Sequence, residues 1–291
     1  MSDRLRLDGQ TAIVTGGGGG IGRAIAIGLA QAGANVVIGD IVPERCEETA
    51  ERVREAGAQA LPYPLDVMDG DACRAMIAAA DTMFGRVDIL VNNAGGVSSR
   101  PFLEQSERSW QRHIDINLMS MLRCTHAAAP LMIRGGKGGS IINVASIEGT
   151  RAAPTYAVYA ACKAGMISFT KTMALELSQH EIRVNCIAPD HTATPGNNGN
   201  RTGPVDPSSW PERPESVETA WRQLIPLQRE GIDTECGDAA VFLASQMASY
   251  ITGATLHVDG GTFASNGWMR DADGNWTLNQ GLVMTATKKP D

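Results

Sequence analysis

At 291 residues and 30.8 kDa, the chain is long for one small domain and short for two large ones, a size that one doubly wound α/β unit with elaborations fills. Its composition is globular, 43% hydrophobic and 20% charged, and its glycine content of about 11% against a usual ~7% has no collagen-like period, which excludes disordered, fibrous and coiled-coil chains. With 25 Lys and Arg against 32 Asp and Glu, a net charge of −7 and no basic run, nucleic acid is not an expected partner.

The first residues, MSDRLRLDG, are polar and carry no signal-like apolar stretch. No apolar run reaches the ~18 to 20 residues of a membrane span. The expectation is a cytoplasmic protein with no membrane partner. Residues 11–15 (TAIVT) form a strand, and 21–31 a helix that closes at Gly33. Residues 35–39 (NVVIG) are the next strand, followed by a helix opening at Pro43, which suits a first helical turn. Helical patterns then occupy 70–84, 106–134 and 155–179, and strands fall at 88–91, 140–144 and 182–187. This alternation predicts βαβ units: an α/β fold with a Rossmann-type doubly wound parallel sheet, buried on both faces. The apolar stripes Leu118, Met121, Leu122, Leu131, Met132 and Met166, Phe169, Met173, Leu177 are core by default.

Beyond Pro189 the texture changes. Residues 190–214 are dense in Pro, Gly, Asn, Ser and Thr and too long for a simple connector; a lid and a disordered insertion both fit. Helical periodicity returns at 216–224 and 234–245, and a last strand spans 255–258. The organisation is a catalytic domain over 1–261, with 190–230 as its substrate lid, and a C-terminal extension over 262–291. In that arm Trp268 to Trp276 suit a hairpin turning at Asp273-Gly274. Its tryptophans need cover, so the arm is expected to pack on a neighbouring subunit or over a pocket. Asp271, Asp273 and Asn275 resemble the start of a calcium loop, but Trp276 replaces the needed Gly and Leu282 the closing Glu. No metal is expected. The cysteines Cys46, Cys73, Cys124, Cys162, Cys186 and Cys236 lie 24 to 51 residues apart with no C-x-x-C pair, as scattered reduced thiols do.

Three features carry chemistry. The run from Thr15 to Gly22, TGGGGGIG, follows a strand and opens a helix. Backbone N–H groups there favour a diphosphate, and glycine permits close approach. A G-x-G-x-x-G match in such a run is nearly automatic, so context carries it: Asp40 closes the next strand, 18 residues past Gly22. A carboxylate at that place accepts from adenosine ribose hydroxyls and repels a 2′-phosphate, favouring NAD over NADP; a helix cap or turn is the plainer reading of Asp40. Tyr159 and Lys163 stand four apart on one helix face. An ammonium near a phenol favours the phenolate and makes Tyr159 a usable acid/base, although the same pair arises as a half-buried Tyr beside a solvated Lys. Ser146 lies just past strand 140–144, at the ligand-binding edge of a parallel sheet, without a G-x-S-x-G elbow.

Together TGGGGGIG, Asp66-Val67, Asn92-Asn93-Ala94-Gly95, Asn117, Ser146, Tyr159-x-x-x-Lys163 and Ile187-Ala188-Pro189 resemble the short-chain dehydrogenase/reductase family in its classical form, over residues 7–261, with Tyr159 following Ser146 by 13 residues. The resemblance implies that Gly16, Gly20 and Gly22 form the diphosphate loop, with backbone contact from Ile21. It places Asp40 at the adenosine ribose, Asp66 and Val67 at adenine, and Asn93, Ala94 and Gly95 along the cofactor floor. It makes Tyr159 the proton-transfer group and Lys163 a nicotinamide-ribose ligand that depresses the Tyr159 pKa. Ser146 then orients the reacting oxygen, Asn117 holds a water linking Lys163 to solvent, and Pro189 and Thr194 flank the carboxamide. It also implies a homotetramer built on the helices of 106–134 and 155–179.

The family's usual Pro-Gly after the sixth strand is Pro189-Asp190-His191 here. Asp190 either faces solvent or faces the substrate, and His191 is a loop residue. The expected function is NAD-dependent interconversion of a secondary alcohol and a ketone. A 3-oxoacyl thioester or steroid ketone reductase is the alternative, and an NAD-binding sensor or scaffold without turnover is the alternative from another class.

Overall fold

In the computed structural model, which describes residues 3–200, 202–271 and 273–278, seven parallel strands form one sheet in the order β3-β2-β1-β4-β5-β6-β7. In chain order these are β1 (Thr11–Thr15), α1 (Gly20–Gln31), β2 (Asn35–Asp40), α2 (Pro43–Glu55), β3 (Ala60–Pro64), α3 (Gly70–Phe84) and β4 (Ile89–Asn92). There follow α4 (Glu107–Ile114), a π-helical turn (Asp115–Met119), α5 (Ser120–Gly135), β5 (Gly139–Val144), α6 (Ala157–Glu176) and β6 (Ile182–Pro189). The chain closes with α7 (Glu215–Leu224), α8 (Asp233–Ala244), β7 (Thr255–Val258), the short α9 (Thr262–Ser265), and the two-residue strands β8 (Met269–Arg270) and β9 (Trp276–Thr277).

The strands are apolar on both faces because both faces are covered. Successive side chains of β1 point to opposite sides, so Val14 joins one core with Ile25, Leu29 and Val241 while Ile13 joins the other with Met76, Leu90 and Ile141. All six cysteines are buried and unbridged. Among the described residues no helix is long and apolar enough to cross a membrane.

Three features differ from the sequence expectation. Strand β3 (ALPYP) was not anticipated, because Pro62 and Pro64 break the usual strand signal; an edge strand tolerates them, and they register against Ile38 and Asp40 of β2. The single helix expected over 106–134 is divided by the π turn, whose wider hydrogen bonding has no simple sequence signature. Strand β6 runs two residues beyond Ile187, through Pro189. The segment after it folds back over the glycine loop: Arg45 of α2 donates to the carbonyls of Gly203 and Asn200 at 2.6 and 2.8 Å.

The hairpin expected at Asp273-Gly274 forms, with Met269 opposite Thr277 and Arg270 opposite Trp276. Asp271 Oδ1 accepts from the N–H groups of Asp273 and Asn275, and the Arg270 guanidinium lies 4.4 Å over the Trp276 ring. The rest of the expected extension, 279–291 with Leu282, lies outside the described residues.

Candidate active site

Parallel strands end together, so the loops that follow β1, β2, β4, β5 and β6 gather at one edge of the sheet. After β1 the chain turns through the glycine run into α1. Gly16 takes φ +62°, in the left-handed region that suits glycine, and a Cβ on Gly22 would run into the Gly16 carbonyl oxygen. Arg23 braces the turn from α1, donating from Nε and Nη2 to the Gly18 carbonyl at 3.0 and 2.6 Å and pairing with Glu48 at 2.6 Å. A second brace comes from β4: the Asn93 amide donates to the carbonyls of Thr15 and Gly16 at 3.0 and 3.1 Å. The Thr15 hydroxyl in return accepts from the N–H groups of Asn93 and Ala94 at 3.0 and 3.1 Å.

Asp40 ends β2 with its carboxylate held by two backbone donors, Gly18 N–H to Oδ2 and Val42 N–H to Oδ1, both at 3.0 Å. It is a turn-stabilising residue and a cleft-lining residue at once. The cleft it lines also takes in Gly16, Gly20, Ile21, Gly22, Asp66, Val67, Asn93, Ala94, Gly95 and Thr194. A side-chain-free cradle at a helix start, a fixed carboxylate at the end of β2 and an unbroken cleft between them fit a dinucleotide.

An adjoining cleft shares Ile21, Asn93, Gly95 and Thr194 with the first and contains Asn117, Ser146, Tyr159, Lys163 and Pro189. Between them the two clefts take in every residue assigned to cofactor or catalysis in the sequence. Ser146 directly caps the turn after β5, its Oγ accepting from Glu148 N–H at 3.2 Å. Tyr159 and Lys163 sit one turn apart on α6, with Nζ 5.6 Å from the centre of the phenol ring. Lys163 is buried, its ammonium donates to the Val144 carbonyl at 2.9 Å, and burial pushes its pKa down to about 8. Burial pushes the Tyr159 phenol above its ordinary 10.0; the Ser146 hydroxyl pulls it down and the charge of Glu148 pushes it up. The expected depression of Tyr159 by Lys163 is thus corrected. Burial is the larger effect, and the ammonium is engaged with Val144.

Asn117 is fully buried in the π turn. Its Nδ2 donates to the carbonyls of Gly96 and His113 at 2.8 and 3.0 Å, and its Oδ1 accepts from Gly96 N–H at 3.2 Å. A Cβ on Gly95 would stand 2.8 Å from Asn117 Oδ1 and 3.5 Å from Lys163 Nζ, so these groups are close neighbours. Behind them a buried ladder ties the sheet to α6: Asn92 Nδ2 donates to Asn143 Oδ1, and Asn143 Nδ2 to Thr170 Oγ1, both at 2.9 Å. Asn143, Thr170, Thr15 and Arg45 were not singled out in the sequence, because each acts through a contact distant in the chain. Asp190 resolves toward the substrate side, lining the cleft of Ser146 and Tyr159. His191 is more than half exposed and does not line it.

Fold and site define a class, the Rossmann-type oxidoreductases. A family model described as enoyl-(acyl carrier protein) reductase matches residues 16–262. A 3-oxoacyl-(acyl-carrier-protein) reductase of Thermotoga maritima is 35% identical over 257 residues, covering 88% of this chain and 99% of that protein. The solved structure of a 7α-hydroxysteroid dehydrogenase with NADH and 7-oxo glycochenodeoxycholic acid superposes with a TM-score of 0.81 at 34% identity, covering 90% and 97% of the two chains. A chain from Agrobacterium tumefaciens solved with bound NADP gives 0.76 at 34% identity, covering 90% and 99%. The chain belongs to the short-chain dehydrogenase/reductase family.

Proposed function

We propose that this oxidoreductase interconverts a ketone and a secondary alcohol, with NAD as its cofactor. The observation that carries this reading is the pair of adjoining clefts, one holding Ser146, Tyr159 and Lys163 and the other the glycine cradle, with Ile21, Asn93, Gly95 and Thr194 lining both. A bound nicotinamide dinucleotide supplies the hydride chemistry at the carbinol carbon. Tyr159 exchanges the proton with the substrate oxygen, and the Ser146 hydroxyl holds that same oxygen in place. Lys163, buried beside the phenol ring and anchored on the Val144 carbonyl, would hold the nicotinamide ribose. Asn117 fixes the backbone at Gly96 and so the wall beside Lys163. Asp40 supports NAD, since its fixed carboxylate accepts ribose hydroxyls and opposes a 2′-phosphate; the solved relatives hold NADH in one case and NADP in another.

The names of the relatives favour a narrower form of the reaction, reduction of a 3-oxoacyl thioester or of a steroid ketone. Both are ketone–alcohol exchanges and use the same groups. The site is expected to work on a small molecule, within a cytoplasmic homotetramer. A sensor or scaffold would bind NAD and need no Tyr159.

The test follows NADH oxidation and NAD⁺ reduction over a panel of secondary alcohols, steroid ketones and 3-oxoacyl thioesters. Tyr159→Phe is expected to lower turnover by about a thousandfold while leaving NADH binding within a factor of about two, and wild type is expected to bind NADH more tightly than NADPH. Turnover that survives in Tyr159→Phe refutes the assignment. NADH binding without turnover on any member favours the sensor.

A further inference from the structure

Asp190 is the first residue past β6, and its N–H still bonds the Val258 carbonyl of β7 at 3.4 Å. The strand pair therefore fixes its backbone at the wall of the cleft that contains Ser146 and Tyr159. Its side chain is only 6% exposed. Oδ2 is shielded from solvent and has no hydrogen-bond partner among the described residues. Oδ1 has only long contacts, to Arg151 Nη2 at 3.5 Å and to His191 Nε2 at 3.9 Å. Arg151 is not a dedicated partner: it lies closer to Glu148, at 2.8 Å, and also feels the charge of Asp259. Two carboxylates thus share one guanidinium, and Asp259 acts on it through its charge alone. The polar neighbours on the same wall are bonded elsewhere, Asn197 Nδ2 to the Thr192 carbonyl at 3.1 Å and Thr192 Oγ1 to the Asp190 carbonyl at 3.2 Å.

A buried carboxylate oxygen without a donor is costly, more so than a neutral acceptor. That cost is relieved if the occupant of the cleft brings the missing donor. We infer that Asp190 reads the substrate: it accepts a hydrogen bond from a hydroxyl or ammonium group carried near the reacting carbon. Diols, hydroxyketones and amino alcohols are the fitting class. A simple mono-alcohol leaves the oxygen unpaired, and a carboxylate or phosphate at that place meets the like charge of Asp190. The inference rests on the reading of this cleft as the seat of ketone–alcohol exchange.

The experiment uses the full chain and two readouts. Binding is measured by calorimetry on the Tyr159→Phe protein saturated with NAD⁺, titrated with cyclohexanol, the vicinal and next-but-one cyclohexanediols, vicinal aminocyclohexanol and a cyclohexanol carboxylate. Turnover of the same probes is followed with wild type. The expected result is that at least one diol or the amino alcohol binds about tenfold or more tightly than cyclohexanol, and that the carboxylate binds worst. Asp190→Leu, with Asp190→Ala as a smaller change should the leucine protein not fold, is expected to bring the ratio close to one.

No donor advantage, whether because the probes bind alike or because none binds, overturns the inference. So does an advantage that persists in Asp190→Ala. A donor advantage that depends on Asp190 in a protein that turns over no probe keeps this assignment and counts against the redox reading alone.

Discussion

At the scale of single residues, Lys163 is buried and Tyr159 half-buried at the wall of the cleft. Burial disfavours the phenolate and the ammonium alike, raising Tyr159 and holding Lys163 at about 8. Ser146 is the group that lowers Tyr159, because its hydroxyl can donate to the phenolate oxygen. The sign of its removal follows. Ser146→Ala withdraws a hydrogen bond that favours the charged form, so the Tyr159 pKa rises. Alcohol oxidation, which needs the phenolate, then shifts its pH profile toward alkaline values and falls near neutral pH by about a hundredfold. A pH series of kcat/KM for wild type and Ser146→Ala checks this. An unshifted profile with reduced rate would mean that Ser146 holds substrate without touching the Tyr159 equilibrium.

At the scale of elements, the parts visible in the sequence were those that obey one period. Strands β1, β2, β5 and β7 are short apolar runs between turn residues, and each lies within a residue of its expected bounds. The parts that were not visible depend on contacts made elsewhere. Edge position excuses the prolines of β3, the π turn carries the buried Asn117 amide on the His113 carbonyl, and pairing with β7 draws β6 out to Pro189. The segment 190–214 had two readings, a lid and a disordered insertion, and part of it is bonded to α2. Pro195 and Thr194 lie against the glycine turn, and Arg45 is the tether to Asn200 and Gly203. Arg45→Ala removes the donor to the carbonyls of Asn200, Thr202 and Gly203 and also takes a lining side chain from the edge of the cleft that holds the glycine cradle. It is expected to weaken NADH binding by about tenfold and to speed proteolytic nicking within 198–206, while the melting temperature moves little. Fluorescence titration of NADH and timed proteolysis measure both. Unchanged nicking would show that the segment is held by its other contacts.

At the scale of the molecule, the candidate site was legible because a parallel sheet converts order along the chain into position in space. Residues as far apart as Gly16 and Thr194 meet at one edge because each follows a strand that ends there. What order could not disclose is how those side chains pair, which is why the Val144 bond of Lys163 and the idle oxygen of Asp190 emerged only in three dimensions. The same geometry bears on assembly. Met121, Met132 and Met166 from the apolar stripes of α5 and α6 are buried core, but Leu122, Ala129 and Ile133 of α5 line an open groove with Phe169 and Met173 of α6. Apolar surface of this kind, rimmed by Arg123, His126 and Glu176, marks a contact face. Light scattering on the eluting protein is expected to give about four times the 30.8 kDa chain, the homotetramer that the family resemblance implies. Ile133→Asp with Phe169→Asp would bury two charges in that contact and is expected to yield a smaller species. Because the groove shares no residue with the cofactor cleft, NADH binding should survive in it. A wild-type protein that elutes as a monomer would leave the groove without a partner and refute the assembly.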